Sequence, residues 1–91
     1  MFYSCNSLTS LDLSNFITIK VTNMAQMFYE INSMNILDIS NFETTNCKNV
    51  NGIFDECKNN VTVILNSKKC ANIYDNIPEY FNVEDLSLFL S

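Results

Sequence analysis

Residues 1–16 read MFYSCNSLTSLDLSNF, and residues 27–42 read MFYEINSMNILDISNF. Laid over one another without a gap, residues 1–26 and 27–52 agree at twelve positions: Met1, Phe2, Tyr3, Asn6, Ser7, Leu11, Asp12, Ser14, Asn15, Phe16, Thr18 and Asn23. Other positions change conservatively, Leu8 to Met34 and Leu13 to Ile39. A third copy starts at Ile53-Phe54, places Cys57 on the Cys5 position and Val63 and Leu65 on Leu11 and Leu13, then decays. Lys68 stands where Phe16 and Phe42 stood. A fixed period of this length is the mark of units that each cover a neighbour's apolar face.

Within a unit the pattern changes once. Leu11 and Leu13 alternate with Asp12 and Ser14, the period of a strand with one buried face. The matching stretches are Met34 to Ser40 and Val61 to Asn66. Val21, Met24, Met27, Phe28 and Ile31 then recur at helical spacing, as do Cys47, Val50, Ile53, Phe54 and Cys57. Thr18 or Thr22 is placed to cap the first helix, and Thr44 or Thr45 the second. The expected fold is an α/β repeat, a short right-handed solenoid with parallel strands on one face and helices on the other. Its units run over 1–26, 27–52 and 53–78, the third degenerate, followed by a capping segment at 79–91. Cys70, Ile73, Tyr74 and Ile77 form a last helical face stopped by Pro78. Val83, Leu86, Phe89 and Leu90 fit one face of a closing helix, although the tail reads equally as the start of a further unit.

The phrases SLTSLDLSNF, VTNMAQMFY and MFYSC resemble the BspA-like leucine-rich repeats, the variety of roughly 25 residues per unit. The likeness covers residues 1–57 and fades beyond 66. It implies a leucine-rich-repeat-type solenoid, a place at the cell surface or in the secreted fraction as part of a longer protein, and adhesive or protein-binding work. Asn15 stands one residue earlier than the ladder asparagine of the common class, so that class's turn geometry is not carried over. Met1-Phe2-Tyr3 occupies the slot that ends a helix. The chain therefore reads as the C-terminal part of a longer array, with an uncapped first unit open to self-association and marginal stability on its own.

Composition narrows the function classes. Ninety-one residues carry a net charge of −5, five Lys and no Arg, without the basic stripe that nucleic acid requires. No apolar run approaches a membrane span, and no signal peptide follows Met1. The absence of His removes catalytic triads, Cys-His pairs and imidazole metal sites. Fifteen Asn against one Gly and one Pro assign the turns to asparagine, which tolerates left-handed backbone and bonds to nearby backbone. Asn15, Asn41, Asn23 and Asn49 recur at the repeat period in that role.

The candidate contact surface is the outward strand strip: Ser10, Asp12 and Ser14; Ile36, Asp38 and Ser40; Thr62, Ile64 and Asn66. Ile36 and Ile64 are its apolar anchors, and the partner is a protein or a glycan. Asp12 and Asp38 fall one strand apart, about 5 Å. With Ile64 in the third place they are too few for Ca²⁺, which takes six to eight oxygens. Cys5, Cys47, Cys57 and Cys70 read as small core residues. Cys5 and Cys57 lie roughly 10 Å apart at strand spacing, and Cys47 and Cys57 about 15 Å apart along a helix, beyond bridging distance. Only Cys47 with Cys70 is left open as a disulfide. Asn60-Val61-Thr62 forms a glycosylation sequon of little weight in an Asn-rich chain. No catalytic group, cofactor or metal is expected. The leading reading is a non-enzymatic binding module of a surface adhesin. The alternative is a structural spacer or terminal cap with no ligand of its own.

Overall fold

A computed structural model describes residues 10–13, 15, 17–29, 34–57 and 60–88. Four strands form one sheet: β1 (Ser10–Asp12), β2 (Ile36–Asp38), β3 (Thr62–Leu65) and β4 (Asn82–Asp85). They lie in chain order β1-β2-β3-β4 and every pair is parallel. Ser10 pairs with Ile36 and Ile36 with Thr62, a step of 26 residues each time. Thr62 pairs with Asn82, a step of 20.

The inward side of the sheet is apolar because the pleat sends alternate residues to one face. Leu13, Leu37, Ile39, Val63 and Leu65 are all buried there. They meet Met24, Met27, Phe28, Val50, Ile53, Phe54 and Cys57 from the opposite wall in one core. Phe28 stacks on Phe54, ring centroids 5.8 Å apart and planes 12° from parallel. Phe81 meets the Phe54 ring edge-on at 5.4 Å. Aromatic side chains thus run through successive units as one column.

The opposite wall differs from expectation. No helix covers residues 21–29 or 47–57. The backbone there pairs with the neighbouring unit: Met24 N–H donates to the Asn49 carbonyl at 2.7 Å, Gln26 to Asn51 at 3.0 Å, Phe28 to Ile53 at 3.0 Å, and Lys48 to Thr22 at 3.0 Å. Asn23 and Asn49 form a parallel bridge. Between these links the chain folds in three-residue turns, Met27 to Met24 and Tyr29 to Gln26 in one unit, Ile53 to Val50 and Cys57 to Phe54 in the next. An α-helix needs each N–H for the carbonyl four residues back, and here alternate N–H groups are spent on the adjacent unit. Left-handed backbone at Gln26 (φ 57°), Gly52 (φ 65°) and Glu56 (φ 61°) breaks any helical run. Successive turns of three still bring every third residue inward, so the apolar spacing is kept without the helix.

Thr18 and Thr44 do not cap helices. The buried Thr18 hydroxyl donates to the Glu43 carbonyl and accepts from the Glu43 N–H at 2.9 Å, and the Thr44 hydroxyl donates to Asn72 Oδ1. One α-helix is present among the described residues, α1 (Ala71–Tyr74). It buries Ile73 and leaves Tyr74 exposed. Over the described residues 79–88 the expected closing helix does not form: Asn82–Asp85 is the extended strand β4, followed by a 3-10 turn at Leu86–Leu88. Phe89 and Leu90 lie outside the described residues.

Candidate functional site

Strand pairing places the outward side chains in two rows. Ser10, Ile36, Thr62 and Asn82 are partners in the first, and Asp12, Asp38, Ile64 and Glu84 in the second. At strand spacing each row runs roughly 15 Å, and the rows stand about 7 Å apart. Ser10, Asp12, Asn82 and Glu84 are exposed, Ile36 is 47% exposed, and Asp38, Thr62 and Ile64 are half-buried. The face carries three carboxylates, and holds two isoleucines as diagonal neighbours on adjacent strands, within reach of one ligand group.

The third row expected from the sequence does not form. Ser14 lies outside the described residues. Ser40 is half-buried, past the end of β2. Asn66 is buried, 8% exposed: its Oδ1 accepts the Lys68 N–H at 3.0 Å and its carbonyl accepts the Cys70 thiol at 3.3 Å. Asn82 and Glu84 replace the lost row. They were missed because the last unit is six residues shorter than the others.

Acidic and amide side chains close the strands. Asp38 Oδ1 accepts the Ser40 N–H, Asn66 Oδ1 the Lys68 N–H, and Asp85 Oδ1 the Ser87 N–H, each at 3.0 Å and two residues ahead. These are local turns of the kind short polar side chains favour. Asn23 and Asn49 do the same for Ala25 and Asn51 on the opposite wall, in agreement with their expected structural role. Asp38 therefore serves the strand end as well as the face. Among the described residues no group of three or more His, Cys, Asp or Glu is placed to hold a metal ion.

Asp85 sits at the register position held by Leu65 in β3. Ser67 donates its hydroxyl to Oδ2 at 2.6 Å and its N–H to Oδ1 at 3.0 Å. Ser87 adds its own N–H, and its buried hydroxyl lies 3.1 Å from that of Ser67. Desolvation works to raise the carboxyl pKa, but the hydrogen bonds from Ser67 and Ser87 overcome it and lower the value to about 2. The carboxylate thus clasps β4 to the turn after β3.

Cys47, Cys57 and Cys70 are buried and carry no disulfide, so the bridge left open between Cys47 and Cys70 is not made. Their thiols donate to the Asn49, Phe28 and Asn66 carbonyls. Burial pushes the Cys70 thiol up to about 11, with the Asp85 charge adding to the shift against the bond to Asn66. Such a thiol is a poor nucleophile. Asn60 of the sequon is exposed, Val61 is buried and Thr62 lies in β3.

Sequence reasoning also missed Asn46 and Asn72, which share one position in successive units. Asn46 Nδ2 donates to the Ile19 carbonyl at 3.0 Å. Asn72 Nδ2 donates to the Thr44 and Cys47 carbonyls at 3.2 and 3.1 Å. Both tie a unit to its predecessor. Lys20 holds the place in the first unit, so a comparison of the first two units alone hides the recurrence.

No helix among the described residues is long and apolar enough to cross a membrane. No curated protein and no solved structure matches the chain. A family model described as "Mycoplasma protein of unknown function, DUF285" matches residues 1–85. With nearly the whole chain covered, from before β1 to the last residue of β4, the protein belongs to that Mycoplasma family.

Proposed function

We propose that the chain is part of a leucine-rich-repeat-type solenoid of the BspA-like kind, exposed at the cell surface or secreted, and that it binds a protein or glycan partner through the strand face without enzymatic chemistry. The observation that carries this reading is the pair of outward rows. The parallel sheet sets Ile36 and Ile64 among Asp12, Asp38 and Glu84, an apolar centre with a polar, charged rim. Binding faces have that composition, with most of the energy in a few central apolar contacts. Extended strips of this kind are what stacked repeats offer a partner. The Mycoplasma family and the phrases shared with the surface-exposed repeats support the location.

A second reading follows from Asp85. A carboxylate at a position that holds leucine or isoleucine in the preceding strands, clasped by two serines, suits a terminal unit. On that reading the chain is a spacer or cap and the face binds nothing.

Adhesion separates the two. Beads coated with the folded chain are applied to a cultured epithelial monolayer, beside beads carrying Ile36→Asp and beads carrying Lys48→Glu on the opposite wall. The binding reading expects Ile36→Asp to cut retention roughly tenfold, the equivalent of one lost central contact, and Lys48→Glu to leave it unchanged. Equal retention for all three rejects the strand face as the contact surface and leaves the spacer or cap.

A further inference from the structure

We infer that the ligand of the strand face is an extended protein segment that brings two basic side chains with an apolar one between them. This rests on the strand face being the contact surface, as proposed above, and gives that surface its ligand chemistry. The eight outward positions of the two rows hold Asp12, Asp38 and Glu84 and no base. The described lysines, Lys20, Lys48, Lys68 and Lys69, all stand outside the strands. Asp12 and Asp38 are paired positions on neighbouring strands, where like charges repel. A cation set between them relieves that repulsion. Ca²⁺ takes six to eight oxygens, and among the described residues no group of three or more His, Cys, Asp or Glu is placed to hold a metal ion. An ammonium or guanidinium group needs no such cage, because it brings its own N–H donors to the carboxylates.

The same positions disfavour a glycan. Sugar rings are held by stacking on aromatic side chains and by dense hydrogen bonding. None of the eight positions is aromatic, and the central pair, Ile36 and Ile64, offers no hydrogen-bonding group. Sulfated and sialylated glycans carry negative charge and are repelled by three carboxylates. An apolar side chain flanked by cations complements this face in both respects.

Spacing sets the order of the ligand's side chains. Along the second row Asp12, Asp38, Ile64 and Glu84 follow one another at steps of about 4.8 Å. The point midway between Asp12 and Asp38 therefore lies roughly 12 Å from Glu84, with the two isoleucines in the interval. An extended chain laid along the row turns every second side chain to the sheet, and its residues four apart are separated by about 13 Å. A basic residue, an apolar residue two places on and a second basic residue two places further meet the carboxylate pair, the isoleucines and Glu84 in turn.

Nuclear magnetic resonance titration of the isotope-labelled full chain tests it. The probes are two end-blocked peptides of one composition, Ser-Lys-Ser-Ile-Ser-Lys-Ser and Ser-Ile-Ser-Lys-Lys-Ser-Ser, with heparin and dextran beside them. The first peptide is expected to move the amide signals of Ile36, Asp38, Ile64 and Glu84, and the second to bind about threefold more weakly. Glu84→Gln and Asp38→Asn each remove a charge at constant shape, and Asp38→Asn keeps the oxygen that accepts the Ser40 N–H. Each weakens the first peptide about threefold, whereas Asp75→Asn, exposed and off this face, leaves it unchanged. Equal affinity for the two peptides, or signal changes confined to other residues, overturns the inference. So does heparin or dextran moving the same amides, which identifies a glycan ligand. Beads carrying Ile36→Asp that lose retention, while the first peptide leaves the face unmoved, keep the strand face as a contact surface and reject this ligand. Equal retention by all three kinds of bead rejects the face and this ligand together.

Discussion

Asp85 and Gly52 show how much of this fold turns on single side chains. The Asp85 carboxyl is held to about 2 by Ser67 and Ser87, below its value in an unfolded chain, near 3.9. A depressed carboxyl favours the folded state above its unfolded pKa, and that contribution is lost as pH falls through the folded value. The urea midpoint is therefore expected to fall between about pH 4 and pH 2, and Asp85→Asn to flatten that stretch of the profile while lowering the unfolding free energy at pH 7 by about 1 kcal/mol. An unchanged acid limb in the variant removes the clasp from the account. Gly52 stands at φ 65°, and a Cβ there would meet Asp55 Oδ2 at 2.9 Å. Gln26, in the matching place one unit earlier, accepts the same left-handed backbone, which costs an L-residue about 1–2 kcal/mol. Gly52→Ala is expected to lose about that much in thermal unfolding, with the Asp55 side chain swinging aside.

Among the elements, the turn wall is held less by regular structure than by links between units. Asn72 spends both its amide hydrogens on carbonyls of the preceding unit, and Asn72→Ala leaves the Thr44 and Cys47 carbonyls without those donors. A loss of about 2 kcal/mol follows from two half-buried groups left unsatisfied, read as a shift in urea midpoint. Asn46→Ala, at a more exposed site, is expected to lose less, and a reversal of that order argues against the tie. The column of rings is the heavier support. Phe54→Ala removes the ring between Phe28 and Phe81 and costs about 3–5 kcal/mol, most of what a domain of this size holds in reserve. Loss of the cooperative melt is the expected reading.

For the whole molecule, the sequence disclosed the 26-residue step and the inward residues, because Leu37 and Val63 repeat in the register that the strands adopt. It misled at residues 21–29 and 47–57. A three-residue turn and an α-helix both bury positions i and i+3, and apolar spacing cannot separate them. The partners of the backbone N–H groups do, and those lie in another unit, out of reach of any local reading. The outward strip was legible in Ser10, Asp12, Ile36, Asp38, Thr62 and Ile64. It failed at Asn66, which is buried, and at Asn82 and Glu84, where the step between paired residues drops from 26 to 20. A residue pattern carries strand register only while unit length is constant.

The three buried thiols give the molecule its own clock. Cys47 and Cys57 bracket the second stretch of turns, and Cys70 lies beside the Asp85 clasp. Each is silent to a thiol reagent until its own layer opens, so labelling rates time the fraying of separate layers in one sample. With Cys5 replaced by Ser, a chain that frays from its last strand reacts first at Cys70, and Asp85→Asn quickens that reaction before either of the others. Equal rates at all three would mean that the second and third units open as a single body.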